Sequence, residues 1–324
     1  MTCDQPPLYL TDADVEALAP PPGALADLVA SAFREKAGGD AVAPPKSALR
    51  LGTTGLYCQS MSAAVARVGA GVKWVTLPRD SRARGLPHVS GAVILCDPDT
   101  GRIQAILEAA RLTALRTAAM SLVAARHLAR ADSAVLALVG CGVQARAHLD
   151  ALTTAFPITR VRLLARRASS AEAFATAAAR EGLAFDLCSG PLAALAGADL
   201  VVSSVPAAPD LSPFLNAASV APGALAIMVD LGRSWIPGSL DHFDVAVTDD
   251  IEQTAALAPS NPAFAALCFS GDIADLEAAR LPERTGVGQR VAFAFAGSGI
   301  ADIAAAAAVL CAARERGAGL VLPS

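Results

Sequence analysis

A glycine-rich loop at residues 139–145 is the segment whose spacing most directly suggests chemistry. It reads Val-Gly-Cys-Gly-Val-Gln-Ala, follows an apolar run at 133–139 and precedes a helical stretch that ends near Leu152. In such a strand–loop–helix unit, Gly140 permits the tight turn, Gly142 lets the backbone approach a pyrophosphate, and the helix N-terminus favours the phosphate charge. The loop therefore predicts a dinucleotide site; a glycine-rich turn that binds no nucleotide is the alternative.

The end of the next strand should select between the two nicotinamide dinucleotides. A carboxylate there would bind the ribose hydroxyls of NAD, but residues 163–170 contain none. Arg166 and Arg167 could instead bind a 2′-phosphate, which favours NADP(H) over NAD(H); a solvated basic turn is the alternative. Ser203 and Ser204 end the third strand, where they could contact the cofactor or serve as ordinary turn residues.

Three cations and one carboxylate could bind and process a small acid. Lys73 lies in an apolar strand and Arg116 in an apolar helix, where an unpaired charge is costly. Together with Arg50 they could hold a carboxylate, and burial could lower the pKa of Lys73 toward proton transfer. Asp230 ends a strand at the edge where α/β sheets bind ligands, so it is a candidate general base. The alternatives are a snorkelling lysine and a turn-forming aspartate.

The elements that must position these residues change character along the chain. Residues 41–107 contain short β-rich runs between Gly, Pro and Asp turns, which predicts an antiparallel sheet. From 133 to 248 apolar strands alternate with helices, which is typical of a parallel sheet. We therefore expect an α/β fold, with a Rossmann-type doubly wound domain at 126–291. The second domain is α+β and is built from both chain ends, at 1–125 and 292–324.

Composition excludes several classes of protein. The 324 residues carry 26 Lys and Arg against 30 Asp and Glu, a net charge of −4 that argues against a nucleic-acid partner. There is no uncharged apolar run of about 18 residues and no basic segment leading into an apolar one, so we expect neither a membrane span nor a signal peptide. Seven cysteines without a CxxC pair indicate reduced thiols in the cytoplasm and offer no metal site.

Several motifs in a fixed order carry a family resemblance. The chain resembles the ornithine cyclodeaminase/mu-crystallin family along nearly its whole length. The matching segments are Val-Lys-Trp at 72–74, Gly-Leu-Pro at 85–87, Asp-Pro-Asp-Thr-Gly at 97–101, Leu-Thr-Ala-Leu-Arg-Thr-Ala-Ala at 112–119, the loop at 140–145, and Gly-Ser-Gly-Ile-Ala-Asp at 297–302.

The resemblance implies a nicotinamide cofactor on the Rossmann domain and a substrate-binding domain that also forms a homodimer. It implies that Arg50 and Lys73 bind the substrate carboxylate, and that Arg116 and Thr117 lie beside both substrate and cofactor. Family members act on the Cα–N bond of an amino acid. Hydride leaves Cα, and the resulting imine is hydrolysed, cyclised or formed in reverse.

The same resemblance assigns roles in the Rossmann domain. Val143 and Gln144 would contact the pyrophosphate, and Asp230 would be the acid/base residue. The chain departs from the cyclodeaminases after this aspartate, where it reads Leu-Gly-Arg-Ser-Trp, and at Phe295, where they tend to have a cofactor-contacting serine. Cyclodeaminases also carry a carboxylate for the distal amine of ornithine, but residues 41–79 contain no Asp or Glu.

A second branch of the family resembles the chain more closely in parts. His88, which follows Gly-Leu-Pro at 85–87, is a substrate-pocket candidate in a neighbourhood rich in cations. The segments 73–74, 85–91 and 248–251 are similar to siderophore-pathway dehydrogenases that oxidise an N-(amino-carboxyethyl)glutamate and release 2,3-diaminopropionate. We therefore expect an NAD(P)-dependent amino acid dehydrogenase or imine reductase. Alternatives are an ornithine- or lysine-type cyclodeaminase with recycled cofactor and a non-catalytic ligand carrier, as mu-crystallin is.

Overall fold

A computed structural model describes residues 5–77, 84–85, 89–208, 210–281, 284 and 286–323. The chain divides into two compact units. The first contains Met1–Arg116 and Ser298–Ser324, and the second contains Thr117–Gly297. Among the described residues, no helix combines the length and apolarity needed to cross a membrane.

The first unit combines one sheet with helices from both ends of the chain. Its strands are β1 (Leu8–Leu10), β2 (Ala41–Val42), β3 (Ser47–Leu51), β4 (Leu56–Val65), β5 (Gly69–Leu77), β6 (Ser90–Cys96), β7 (Ile103–Glu108) and β16 (Leu320–Val321). Its helices are α1 (Asp12–Leu18), α2 (Pro22–Gly38), the first part of α3 (Ala109–Leu128), and α10 (Gly299–Arg316).

The sheet of the first unit is mostly antiparallel, as the sequence predicts. Its strand order is β16-β1-β7-β6-β5-β4-β2, with β3 paired to β4, and only β1 and β7 run parallel. The predicted turn between β6 and β7 is closed by Asp97, whose carboxylate accepts hydrogen bonds from the backbone and side chain of Thr100. Gly101 completes it with a φ of 71°.

Helix α10 packs closely on one face of this sheet, across β4, β5 and β6. Gly299 allows the close approach, because a Cβ there would lie 2.8 Å from the Ser62 carbonyl oxygen. A side chain therefore cannot intervene at this point, and the first turn of α10 rests directly on β4.

The second unit alternates strands and helices. Its strands are β8 (Val135–Val139), β9 (Arg160–Leu164), β10 (Ala184–Leu187), β11 (Leu200–Ser203), β12 (Leu225–Met228), β13 (Val245–Thr248), β14 (Phe269–Asp272) and β15 (Val291–Ala294). Its helices are the rest of α3, α4 (Val143–Leu152), α5 (Ala168–Ala178), α6 (Pro191–Leu195), α7 (Ile251–Leu257), α8 (Pro262–Ala266) and α9 (Ile273–Glu277).

All strands of the second sheet run parallel, which confirms the predicted doubly wound α/β fold. The order is β10-β9-β8-β11-β12-β15-β13-β14. From β8 the chain proceeds outward through β9 and β10 on one side, and from β11 through β12, β13 and β14 on the other, with β15 inserted between β12 and β13. The strand order therefore reverses between β8 and β11. Ligands of such sheets bind at the carboxyl ends of the strands beside this reversal.

Candidate functional site

The glycine-rich loop joins β8 to α4 at the reversal of strand order. Gly140 has a φ of 92°, and a Cβ there would lie 2.8 Å from the carbonyl oxygen of Ser204. This position therefore requires glycine on both counts. Gly142 caps α4 without a side-chain hydrogen bond, and a Cβ there would meet no atom within 4 Å. No side chain caps the first N–H groups of the helix, and the space beside Gly142 is open, which suits a pyrophosphate.

The first residues of α4 fit the same use. The side chain of Val143 is 62% exposed, which is high for a valine at the start of a packed helix. Gln144 places its side-chain oxygen, Oε1, in a buried position where it accepts no hydrogen bond from the described part of the chain. A buried amide oxygen without a donor indicates a missing partner. The loop and the helix start therefore fit a bound dinucleotide.

A buried serine–histidine pair, which the sequence reasoning missed, holds α4 against α3. His148 Nδ1 lies 2.7 Å from the Gln144 carbonyl oxygen, and Nε2 lies 2.7 Å from Ser121 Oγ. Burial lowers the pKa of His148 to about 4, so the ring is neutral near pH 7. Because a carbonyl only accepts, Nδ1 carries the proton and Nε2 accepts from the serine hydroxyl.

The basic residues after β9 are exposed. Arg166 and Arg167 lie between β9 and α5, and Arg167 occupies the N-cap of α5 without a side-chain capping bond. Two exposed guanidinium groups next to an uncapped helix start form a surface that suits a phosphate group.

Asp230 follows β12 in a fully enclosed hydrogen-bond network. Ser203 Oγ donates to its Oδ1 at 3.0 Å, and Ser234 Oγ donates to its Oδ2 at 2.6 Å. Trp235 Nε1 in turn donates to Ser203 Oγ at 2.9 Å. Burial raises the pKa of Asp230, and the two serine hydroxyls oppose that rise. Both oxygens are held by hydroxyl groups that can also accept, so the network tolerates a proton on the carboxyl group.

The turn that presents this network is strained and firmly held. Leu231 has a φ of 60°, unusual for a leucine, and Gly232 follows at 71°. Asn261 Nδ2 donates to the Leu231 carbonyl at 3.0 Å, and Trp235 packs edge-on against Phe243 with ring centroids 5.5 Å apart. Strain that is held in this way is typical of functional positions.

The first unit contains a buried charge cluster. Lys73 on β5 and Arg116 on α3 both contact Asp302 on α10: Nζ of the lysine lies 2.7 Å and Nε of the arginine 2.9 Å from the same oxygen, Oδ1. Lys73 and Asp302 are fully buried, and Arg116 is nearly so. Burial, with smaller contributions from Arg116 and Lys46, lowers the pKa of Lys73 to about 7, while Asp302 acts in the opposite direction.

The structure brings Lys73 and Arg116 together but places Arg50 apart. Strand register puts Arg50 opposite Tyr57, which lies opposite Leu77, four residues along β5 from Lys73 and on the same face. That separation is about 13 Å along the strand. The Arg50 guanidinium lies over the Tyr57 ring, 4.2 Å from its centroid.

The remaining predicted site residues are Thr117, Ser203, Ser204 and His88. Thr117 is buried on α3, immediately after Arg116. Ser203 commits its hydroxyl to Asp230 and Trp235, and Ser204 lies beside Gly140, with Oγ 3.5 Å from the Gly140 carbonyl oxygen. The cofactor contacts assigned to both serines stay predictions. His88 lies outside the described residues.

Sequence reasoning noted Asp302 as part of a motif but gave it no role, and it assigned none to Ser234, Trp235 or His148. The motif at 297–302 was the available signal for Asp302. For Ser234 and Trp235 the signal was the departure from the family pattern after Asp230.

Comparison with known proteins decides the family. The sequence profile described as the ornithine cyclodeaminase/mu-crystallin family matches residues 7–310. The chain belongs to this family. The resemblance expected from the motifs is therefore confirmed, and the match covers both units.

Members of the ornithine cyclodeaminase/mu-crystallin family that are similar to the chain carry different activities in their names. A dehydrogenase-named protein of Rhizobium meliloti (strain 1021) is 34% identical over 256 residues, 76% of this chain and 77% of that protein. An archaeal alanine dehydrogenase, solved as a dimer with bound NAD, has a TM-score of 0.87 at 28% identity and covers 98% of this chain and 99% of its own. A lysine cyclodeaminase structure, described with recognition of L-lysine, L-ornithine and L-2,4-diaminobutyric acid, has a TM-score of 0.86 at 26% identity and covers 99% and 96%.

The buried carboxylate of Asp230 should reduce stability at neutral pH. Its pKa is higher in the folded protein than the ordinary 3.8, so the folded state binds this proton more readily and the free energy of unfolding falls as pH rises through that range. Asp230→Asn removes the buried charge and should raise the free energy of unfolding by about 1 kcal/mol at pH 7, with a smaller gain at lower pH. Urea denaturation at several pH values measures this.

Asp241→Asn is the matched control, because the Asp241 side chain is 79% exposed and should change stability little. An Asp230→Asn protein that is less stable than the unaltered protein at pH 7 would contradict the prediction.

Proposed function

We propose that the protein is an NAD(P)-dependent oxidoreductase that acts on the Cα–N bond of an amino acid or N-substituted amino acid, as an amino acid dehydrogenase or imine reductase. The observation that carries the proposal is the buried Lys73–Asp302–Arg116 cluster, which holds two cations against one carboxylate. Two buried cations that lie side by side suit an anionic ligand, and an amino or imino acid supplies a carboxylate. Family membership and the alanine dehydrogenase similarity also support this reading.

The second unit would hold the cofactor. Gly140, Gly142, Val143 and Gln144 would hold the pyrophosphate of a nicotinamide dinucleotide, which supplies the acceptor or donor of hydride for the substrate Cα. The uncapped start of α4 provides N–H groups for that phosphate.

Lys73 and Arg116 would bind the substrate carboxylate, with Arg50 as a further cation of the first unit. In the direction of oxidation, Asp230 would accept the proton that leaves the substrate nitrogen, and in the direction of reduction it would return that proton. A carboxyl group whose pKa is raised by burial suits this task, because it can exchange a proton closer to neutral pH. The hydroxyls of Ser203 and Ser234 would keep the carboxyl oriented in both protonation states.

We further propose that the substrate carries more than one carboxylate, as in the branch that releases 2,3-diaminopropionate. Residues 41–79 contain no Asp or Glu, while Lys46, Arg50 and Lys73 all lie there. The residue directly opposite Lys73 on β4, on the same face of the sheet, is the uncharged Met61, so no carboxylate occupies that position. A diamino acid such as ornithine would need an anion for its distal amine, so these residues favour an acidic substrate over cyclodeamination.

The proposed reaction predicts the behaviour of Asp230→Asn. We expect loss of turnover by about 10³-fold or more, because the proton acceptor is removed, while cofactor affinity stays within about twofold of the unaltered protein. The assay follows reduced-nicotinamide absorbance, with pooled amino acids plus NAD(P)⁺ and pooled keto acids plus amines with NAD(P)H, and fluorescence titration gives cofactor affinity.

Asp241→Asn is again the control and should keep full turnover. Unchanged turnover in Asp230→Asn would refute the acid/base role. Proline formed from ornithine without net reduction of cofactor would establish cyclodeamination instead, and cofactor binding without any redox change would favour a ligand carrier.

We propose NADP(H) as the preferred cofactor because Arg166 and Arg167 are exposed beside the uncapped start of α5. The double variant Arg166→Ala/Arg167→Ala should weaken NADPH binding by about tenfold or more and leave NADH binding nearly unchanged, since only NADPH carries the 2′-phosphate. Fluorescence titration of both cofactors measures this. Arg160→Ala, at the opposite end of β9, should alter neither affinity, and equal affinities for NADPH in all three proteins would point to an ordinary basic turn.

We propose that a second copy of the chain covers the face of the first-unit sheet opposite α10. Trp74 on that face is 41% exposed, and Val72, Ile94 and Ile106 beside it are only half-buried. The alanine dehydrogenase of similar fold was solved as a dimer. Trp74→Lys should shift the protein from dimer to monomer in sedimentation, because it places a charge in an apolar interface. Leu28→Lys, an exposed leucine on α2, should leave the dimer intact; a monomeric unaltered protein would refute the proposal.

A further inference from the structure

Asp302 links two cations that come from different elements of the first unit. It lies in the first turn of α10, after the N-cap Ser298, where the helix dipole favours a negative charge. Its single oxygen Oδ1 lies within 3 Å of both Lys73 Nζ and Arg116 Nε. The two cations are therefore held side by side by one atom, although like charges repel each other at this distance.

The arrangement is a poor device for stability alone. The second oxygen of Asp302, Oδ2, is buried and accepts no hydrogen bond within the described part of the chain. An unsatisfied buried oxygen destabilises the folded state, and more so when it is charged. A buried ion pair of this kind is also often less stabilising than apolar residues of similar volume. Such a costly group indicates a task other than holding the fold together.

The position of Asp302 is set by the close packing of α10 on the sheet. Gly299, one turn before Asp302, has no side chain that would hold the helix away from β4. The aspartate is therefore aimed at Lys73 by the backbone of α10 rather than by a flexible loop. A carboxylate fixed in this way can fix its partners in turn.

We propose that Asp302 is a positioning residue that holds Lys73 and Arg116 together as a two-cation cradle for a substrate carboxylate, and that it keeps Lys73 able to take up a proton when the carboxylate binds. Only the identity of that carboxylate, as part of an amino or imino acid, rests on the proposed function.

The charged groups around Lys73 show how the coupling works. Among the described residues, those that act on it are Asp302 from α10, Arg116 from α3 and Lys46 before β3. Burial and the two cations lower the pKa of Lys73 to about 7, and Asp302 limits that fall. Near neutral pH, part of the protein therefore holds a neutral Lys73. A bound anion favours the charged form, so binding should draw a proton from solution.

The lysine content of the chain makes a direct measurement feasible. Only three lysines are present, Lys36, Lys46 and Lys73. Protein labelled with ¹³C at the lysine ε-carbons gives three signals, which Lys36→Arg and Lys46→Arg variants assign. In the unaltered protein we expect the Lys73 signal to titrate near pH 7, and pyruvate, used as a carboxylate probe, should move the midpoint upward by about half a pH unit or more.

Asp302→Asn should lower the Lys73 midpoint by about one pH unit or more, because the carboxylate that raises the pKa of Lys73 is lost, and should weaken pyruvate binding at pH 7 by about tenfold. Asp302→Glu keeps the charge but moves it. The Lys73 titration midpoint of Asp302→Glu should stay close to that of the unaltered protein, while pyruvate binding should still weaken. This variant also replaces Asp302→Asn if circular dichroism shows that Asp302→Asn does not fold.

An unchanged midpoint and unchanged pyruvate affinity in Asp302→Asn, or pyruvate affinity fully retained in Asp302→Glu, would overturn the proposal. Lower thermal stability with both readouts unchanged would likewise assign Asp302 a purely structural role. The titration is independent of turnover. A protein that turns over no amino acid yet shows the expected Lys73 midpoints would refute the proposed function and leave the role of Asp302 intact. A protein that turns over an amino acid but lacks the expected midpoints would support the proposed function and refute the role of Asp302.

Discussion

The shared contact of Lys73 and Arg116 with one oxygen of Asp302 is the interaction on which the first unit depends for its chemistry. Three elements far apart in sequence meet there: strand β5, helix α3 and helix α10. None of the three charges would tolerate burial alone. Their mutual attraction lets the sheet keep a lysine in its interior, and the two cations side by side suit an anionic ligand.

The second unit also buries an ionisable group, but it stabilises that group in a different way. Asp230 is also buried, but hydroxyl groups donate to both of its oxygens, and Arg233 lowers its pKa less than these hydroxyl groups do. Hydroxyl groups adapt their protons to either form of a carboxyl group, whereas a salt bridge would hold it ionised. The first unit thus holds its buried charges by ion pairing, and the second holds its buried carboxyl group by hydroxyl groups. The strained turn at Leu231 shows that backbone conformation is adjusted to keep the second arrangement in place.

Much of this organisation is readable from local sequence, and the exceptions have physical causes. The strand–loop–helix around Gly140, the hairpin at Asp97 and the parallel sheet follow from short-range patterns of glycine, turn residues and apolar runs. The contact of Lys73 with Asp302 spans 229 positions, so no local pattern could pair them. The Ser203–Asp230–Trp235 network depends on how a left-handed turn folds back, which residue types alone do not specify. Proteins of similar sequence carry different activities in their names, so membership of the family does not by itself specify the substrate.

The order of strands in both sheets also constrains when the protein can fold. β15 pairs with β12 and β13 in the middle of the second sheet, and α10 and β16 complete the first from the far end of the chain. A ribosome that has released the first 280 residues has therefore delivered neither finished sheet, and the growing chain exposes unpaired strand edges and an uncovered apolar face. Contacts of such long sequence separation form slowly. Newly made chains should consequently depend on protection from aggregation during synthesis, to a degree that a protein assembled from successive local units would not.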